Sequence, residues 1–523
     1  MDCAAGETIN EAIENGFTDI TVSGACNENL KFIIWSNDAN SSSSYFKRDL
    51  ANNFIRITGA TSETKIVDAS QNAEAAIYVE GGTTLLLQNL SLEGGESGIR
   101  GNRNSVILLK DVQVRGFKSR GISIVDSSFL GSLGDLVIQG DSARYGILLY
   151  SSSSWQTQAS ISGVQIGMAS YAGSHLFAAP SFDIQAMKIG IDITSGSVVE
   201  KWGDGNGTIS GTEEASIDVN QGILRWTSGT LEIGNSNSGK GINLWQSKAE
   251  INNLKLLEFD NTGSGWNPAI RVGNASALNL NNSEISGETD ESLINIDRSS
   301  MLEVNNSTIL GTGGHALIYA GRASLLEIQN STVSGTADTL IAIDRASILN
   351  IQTGTLSGTV NDALVGINKG SSAEISDSSI SGQQSRGINL HLNSDLTLFN
   401  SLIDVKNDGI YATNGSQADL YYTSVTTSNG VGIEVQFGSG IQVKENSKVI
   451  SNSNFAISLI WNSIGNINSS ESIIGANGPD VKVSGRSTIY VGEDNQIGHV
   501  VCLGKSLVAS TEGVITALDD CTE

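Results

Sequence analysis

The chain has 523 residues with 55 acidic and 30 basic side chains, a net charge of −25, which argues against a nucleic-acid backbone or an anionic membrane as principal partner. Three prolines and 59 glycines suit a β-fold with tight turns rather than a disordered polymer. An apolar share of 39% is enough for a narrow core, and no apolar run approaches the roughly 18 residues of a membrane-spanning helix.

Residues 8–16 (TINEAIENG) set a Thr cap before apolar Ile9, Ala12 and Ile13 and close on Gly16. This predicts one short amphipathic helix, placed to cover the open end of whatever core comes next. The following DITVSG reads as a strand. Residues 35–54 are a polar low-complexity run carrying Trp35, Tyr45, Phe46, Lys47 and Arg48, either a recognition loop or an insertion without a partner.

A rhythm then sets in. Short apolar pairs begin at Ile77, Ile99, Ile122, Ile147, Ile191, Ile217, Ile242, Ile270, Ile294, Ile318, Ile341, Val365, Ile388, Ile410, Ile433 and Ile457, 22–28 residues apart except for one gap of 44 that must hide a coil. Ser or Thr stands six residues after this anchor in 14 of the 16 cases, Ile223 and Lys248 being the exceptions. The period is clearest in SALNLNNSEISG at 276, SMLEVNNSTILG at 300, SLLEIQNSTVSG at 324, SILNIQTGTLSG at 347 and SSAEISDSSISG at 371. Nothing recurs at helical spacing, and repeats of this length bury a core only by stacking. Three short strands per coil are predicted: the anchor pair (Ile294, Ile296), an L-x-I unit (Leu302, Val304) and a closing aliphatic (Ile309). Asn89, Asn282, Asn306, Asn330 and Asn400, with Asp111 and Asp377, share the position 12 after the anchor, where amides can form a ladder.

Within this rhythm, residues 97–145 reverse the local charge, with seven basic side chains (Arg100, Arg103, Lys110, Arg115, Lys118, Arg120, Arg144) against four acidic ones. The reversal marks a site for an acidic glycan or ordinary surface variation. Residues 154–188 should contain the missing coil as a lateral insertion; Trp155, Tyr171, His175, Phe177, Pro180 and Phe182, with Tyr145 and Tyr150 just before, either stack on sugar rings or pack the insertion down. In the clear repeats two ionisable columns stand out. Glu291, His315, Asp338 and Asp362 lie three residues before the anchor, and Arg298, Arg322, Arg345 and Lys369 four after it, with Asn295, Tyr319, Ala342 and Gly366 between. The columns outline a charged strip for binding or for catalysis by Glu291, Asp338, Asp362, Arg322 or Arg345; alternatively Asp297 and Asp344 simply pair with their neighbours. Two carboxylates one coil apart would also match the roughly 5 Å separation of a retaining glycosidase.

The four cysteines form two terminal pairs, Cys3 with Cys26 and Cys502 with Cys521. They read as disulfides stapling the ends of the stack, a usage that implies export. Met1 beside Asp2 reads as a start residue set before a mature chain. No GxSxG, P-loop or HExxH phrase occurs.

The repeats resemble the right-handed parallel β-helix proteins, the pectate-lyase-like superfamily, in character nearest its secreted or surface adhesins. The resemblance covers roughly residues 55–480 and implies an all-β solenoid of about 18 coils, with a cap and loop insertion at 1–54 and closing coils at 481–523. It implies a secreted or cell-surface protein that binds a polysaccharide or a cell-surface glycan or protein. A polysaccharide lyase or glycoside hydrolase, in which Ca²⁺ can assist, and a structural spacer are the alternatives. The GHG and RIK phrases of polygalacturonase-like members are missing. Expected ligand contacts are Arg100, Arg103, Arg115, Lys118, Arg120, Arg144, Tyr150, Trp155, Arg298, Tyr319 and Lys369.

Overall fold

A computed structural model describes residues 1–33, 54–68, 74–155, 158–178, 181–201, 203–234, 239–262, 267–468, 473–475, 479–492, 495–510 and 514–518. They fall into two units, Met1–Phe259 and Asp260–Glu523, each a stack of parallel strands, with about 17 turns in all. Most of the expected loop at 35–54, with Trp35, Tyr45, Phe46, Lys47 and Arg48, lies outside the described residues.

One turn of the second unit shows how sequence becomes coil. The anchor strand is Ser292–Asp297, the second strand Met301–Asn305 and the third Thr308–Gly313. Strand alternation sends Ile294, Ile296, Leu302, Val304 and Ile309 inward, all fully buried, each worth roughly 1.5–3 kcal/mol over exposure. The next turn repeats this in register: Ile294 pairs with Ile318, Leu302 with Leu326 and Ile309 with Val333. Ile318 then pairs with Ile341 and Ile341 with Val365. The column persists beyond Ile457 to Val481 and Val500, so regular turns extend into the closing coils expected at 481–523, with strands to Leu518.

In the first unit Ile77, Ile99, Ile122 and Ile147 stack in the same way. The hidden coil is a full turn. Strand Gln158–Tyr171 places Met168 between Ile147 and Ile191, and the described residues of 154–188 continue the ladder instead of leaving it. The pair here is Met168 and Ser170, and the polar second member hid it from the pattern; Ser170 is buried and its hydroxyl donates to the Ser174 carbonyl at 3.4 Å.

The corners explain the recurring Ser and Asn. After each anchor strand of the clear repeats the backbone passes through two left-handed residues, Arg298 and Ser299, Arg322 and Ala323, Arg345 and Ala346, with φ between 56° and 60°. Such residues cost about 1–2 kcal/mol each. The Ser that follows offsets this. Ser324 accepts the Ser300 N–H at 3.3 Å and donates to the Gly321 carbonyl at 2.7 Å, and Ser300 and Ser347 repeat the pattern. A second ladder links Ser283, Ser307 and Ser331. The exceptional Lys248 reflects a one-residue advance: Ser247 accepts the Gly222 N–H at 3.3 Å. The Asn column is another left-handed corner (Asn282 50°, Asn306 49°, Asn330 48°, Asn400 46°), a conformation Asn tolerates. The expected amide ladder forms in part, as Asn400 donates to Asp377 at 2.7 Å and Thr353 donates to Asn330.

The helix is Ile9–Glu14, capped by Thr8, with Ile9 and Ile13 buried. The buried Glu28 carboxylate accepts the Ile9 and Asn10 amides at 2.6 and 3.0 Å, a favourable charge at a helix start. The Cys3–Cys26 disulfide ties the leading 3₁₀ turn, Cys3–Ala5, to strand Ala25–Asn27. Cys502 is disulfide-bonded as well; Cys521 lies outside the described residues. Among these residues no helix is long and apolar enough to cross a membrane.

Candidate functional site

On the anchor strands, the residues two before, one after and three after the anchor face outward. In the first unit the middle of these columns runs Tyr78, Arg100, Ser123, Leu148, Ala169, Asp192, Asp218 and Asn243, each in register with the next. The middle of this face is a small apolar cluster outside the core: Tyr145, Leu148 and Ala169 are buried, with Ile166 and Tyr171 packed against them. The rings of Tyr145 and Tyr171 meet edge to face at 6.3 Å.

Asp192 and Asp218 adjoin this cluster one strand apart, about 4.8 Å. The Tyr171 hydroxyl donates to Asp192, and Asn243 Nδ2 donates to Asp218 at 2.7 Å. Burial pushes the Asp192 carboxyl up to about 6, reinforced by Asp218 and Glu214 and opposed by the Tyr171 hydrogen bond. Burial likewise raises Asp218, opposed by Asn243 and Lys240, and raises the Tyr171 phenol, with Asp192 adding to it. A carboxyl that stays protonated towards neutral pH can donate as well as accept a hydrogen bond. The pattern contained a signal for both residues: each directly follows an anchor, in Ile191-Asp192 and Ile217-Asp218, and alternation turns that position outward.

The basic residues of 97–145 divide among several surfaces. Arg100 and Arg120 lie on the outward anchor face. Arg103 is at the corner, 2.7 Å from Glu80, and Arg144 lies over the Tyr145 ring at 5.0 Å. Arg115, at the end of strand Val106–Arg115, and Lys118 just beyond it are exposed away from that face. Tyr150 is exposed, three residues after its anchor; the Trp155 side chain lies outside the described residues.

In the second unit the two charged columns stand at opposite ends of the anchor strand, seven residues or roughly 20 Å apart, and do not converge. The cations pair with a carboxylate that is either the preceding residue or one turn earlier. Asp297 lies 3.5 Å from Arg298 and 3.2 Å from Arg322, and Asp344 lies 3.3 Å from Arg345 and 3.2 Å from Lys369. Tyr319 stands between them, its ring laid across Gly321, where a Cβ would come within 2.6 Å of the hydroxyl. Burial raises this phenol, with Asp344 adding and Arg345 opposing. Asp338 accepts from Asn361 at 2.8 Å, and Asp362 from Arg386 at 3.2 Å. Glu291 is half-buried and His315 exposed, its ring 5.7 Å from Tyr319.

The one group of potential metal ligands among the described residues is Cys3, Cys26 and Glu28. Its sulfurs are joined in the disulfide and its carboxylate caps the helix, so it is structural.

Three-strand turns stacked in register define a right-handed parallel β-helix. Residues 294–474 match a family model described as right handed beta helix region. No curated protein matches the chain.

Proposed function

We propose that the protein is an extracellular β-helix that binds carbohydrate along the outward anchor face of its first unit. The observation that carries this reading is the half-buried Tyr171 ring, packed on the Tyr145–Leu148 cluster and set beside Asp192 and Asp218. Sugars are bound by an apolar ring face together with a few fixed polar groups that accept and donate to hydroxyls, and this face offers both. The Cys3–Cys26 disulfide supports an oxidising, extracellular setting. A glycan array followed by calorimetry tests it: Tyr171→Ala and Asp218→Asn should each weaken the retained glycan about tenfold or more. Binding by neither the native protein nor any fragment of the array overturns the reading.

A second reading, glycoside hydrolysis, is favoured by the spacing of the same carboxylates. With Asp192 protonated as acid and Asp218 as nucleophile, the strand spacing of about 4.8 Å brings two carboxyl-bearing positions to the spacing that retention of configuration uses. Reducing ends released from the bound glycan, and lost in Asp192→Asn and Asp218→Asn, would establish it. Absorbance near the ultraviolet edge of an unsaturated product distinguishes a lyase.

A further inference from the structure

Upstream of the carboxylates the same face carries a different chemistry. Arg100 and Arg120 belong to successive turns, in register with Ser123 and Ser97 respectively. Ser97 is completely buried, and its hydroxyl has no hydrogen-bond partner. The Nε atoms of Arg100 and Arg120 are also buried and without partners. Burial and the neighbouring Arg120 charge hold the Arg100 guanidinium below its ordinary value, and Asp126 opposes this. Among the described residues one carboxylate, Glu74, contacts Arg100, and it is more than half exposed. Lys31 and Arg100 both lie against the Tyr78 ring, at 5.4 and 5.7 Å, and Tyr145 is in register beside Arg120. Two guanidiniums on adjacent turns, each with a buried Nε–H unused, and an unused hydroxyl in register with the second of them present more donors than these side chains satisfy. A buried donor left unpaired costs about 1–3 kcal/mol, which an anion at this place would recover.

We propose that Arg100, Arg120 and the Ser97 hydroxyl form a site for one oxyanion, a carboxylate or a sulfate ester, carried by a sugar bound along the outward anchor face. This deepens the carbohydrate reading and rests on it for the identity of the carrier; the oxyanion site itself stands on the arginines. Planar guanidinium forks match both groups, so the two sources are separated by experiment.

Calorimetry on the full chain compares three oligosaccharides of equal length: one bearing uronic acids, one bearing sulfate esters on neutral sugars, and the uncharged parent. At least one charged ligand should bind about tenfold or more tightly than the parent. Arg100→Gln and Arg120→Gln should each abolish that preference, Glu74→Gln should increase it, and Arg115→Gln should not alter it. In parallel, inorganic sulfate is titrated while the arginine Nε–H resonances are followed, with the thermal midpoint of each variant confirming that it folds. Shifts lost in Arg100→Gln and Arg120→Gln support the site even when no glycan binds, in which case the carbohydrate reading alone falls. Equal affinity for charged and uncharged ligands, or sulfate shifts unaltered in both variants, overturns the oxyanion site.

Discussion

Asp192→Asn keeps the size of the side chain and an oxygen to accept from Tyr171, and removes only the ionisation. In the folded protein Asp192 is 8% exposed and titrates at about 6 instead of the ordinary 3.8. At about 1.4 kcal/mol per pH unit, the difference between the two values corresponds to about 3 kcal/mol. The folded state holds this proton more tightly than the unfolded state. Its contribution is therefore present in full below about pH 4 and is lost as the pH rises through about 6. Urea unfolding of the native protein and the variant at intervals from pH 4 to pH 7.5 should show the native protein losing up to about 3 kcal/mol relative to Asp192→Asn across that range. Asp218 titrates in both proteins and largely cancels. A difference that stays constant with pH to within about 0.5 kcal/mol would refute the assignment of a buried, proton-retaining carboxyl.

Ser324→Ala should cost about 1–3 kcal/mol, because it strands the buried Ser300 N–H; amide exchange at Ser300 should accelerate before the rest of the ladder. Asn330→Gly should leave the unfolding midpoint nearly unchanged, whereas Asn330→Val should lower stability by about 1–2 kcal/mol, since a β-branched residue resists the left-handed corner. Reducing Cys3–Cys26, which closes a loop of sequence separation 23, should remove about 3 kcal/mol and appear as faster proteolysis near the helix Ile9–Glu14. Arg322→Ala should cost under about 1 kcal/mol and nothing measurable in concentrated salt, because its pair with Asp297 is half exposed and screened.

A solenoid writes its register into the sequence, which is why the anchor columns, the three strands per turn and the capping helix could be read before any coordinates. The turn at Met168 escaped because Ser170 replaces the second aliphatic residue and is satisfied locally. The corner Ser was visible as a frequency, but its cause, an N–H accepted from the preceding turn, is a relation between residues 24 apart. The candidate site was the least legible part. Outward positions change identity from turn to turn, so Asp192 and Asp218 break no pattern, while the repeated cations at Arg298 to Lys369 attract notice and prove to be neutralised by Asp297 and Asp344.

The left-handed corner after each anchor strand is held by main-chain and serine hydrogen bonds, so the side chain at its first position has no structural duty. In the second unit that position passes from Arg298, Arg322, Arg345 and Lys369 to Leu392, Asn414, Phe437 and Trp461 without any change of backbone hand, and the last two rings stack at 4.4 Å. Evolution can thus recode one vertical line of the exterior, letter by letter, while the interior script stays untouched.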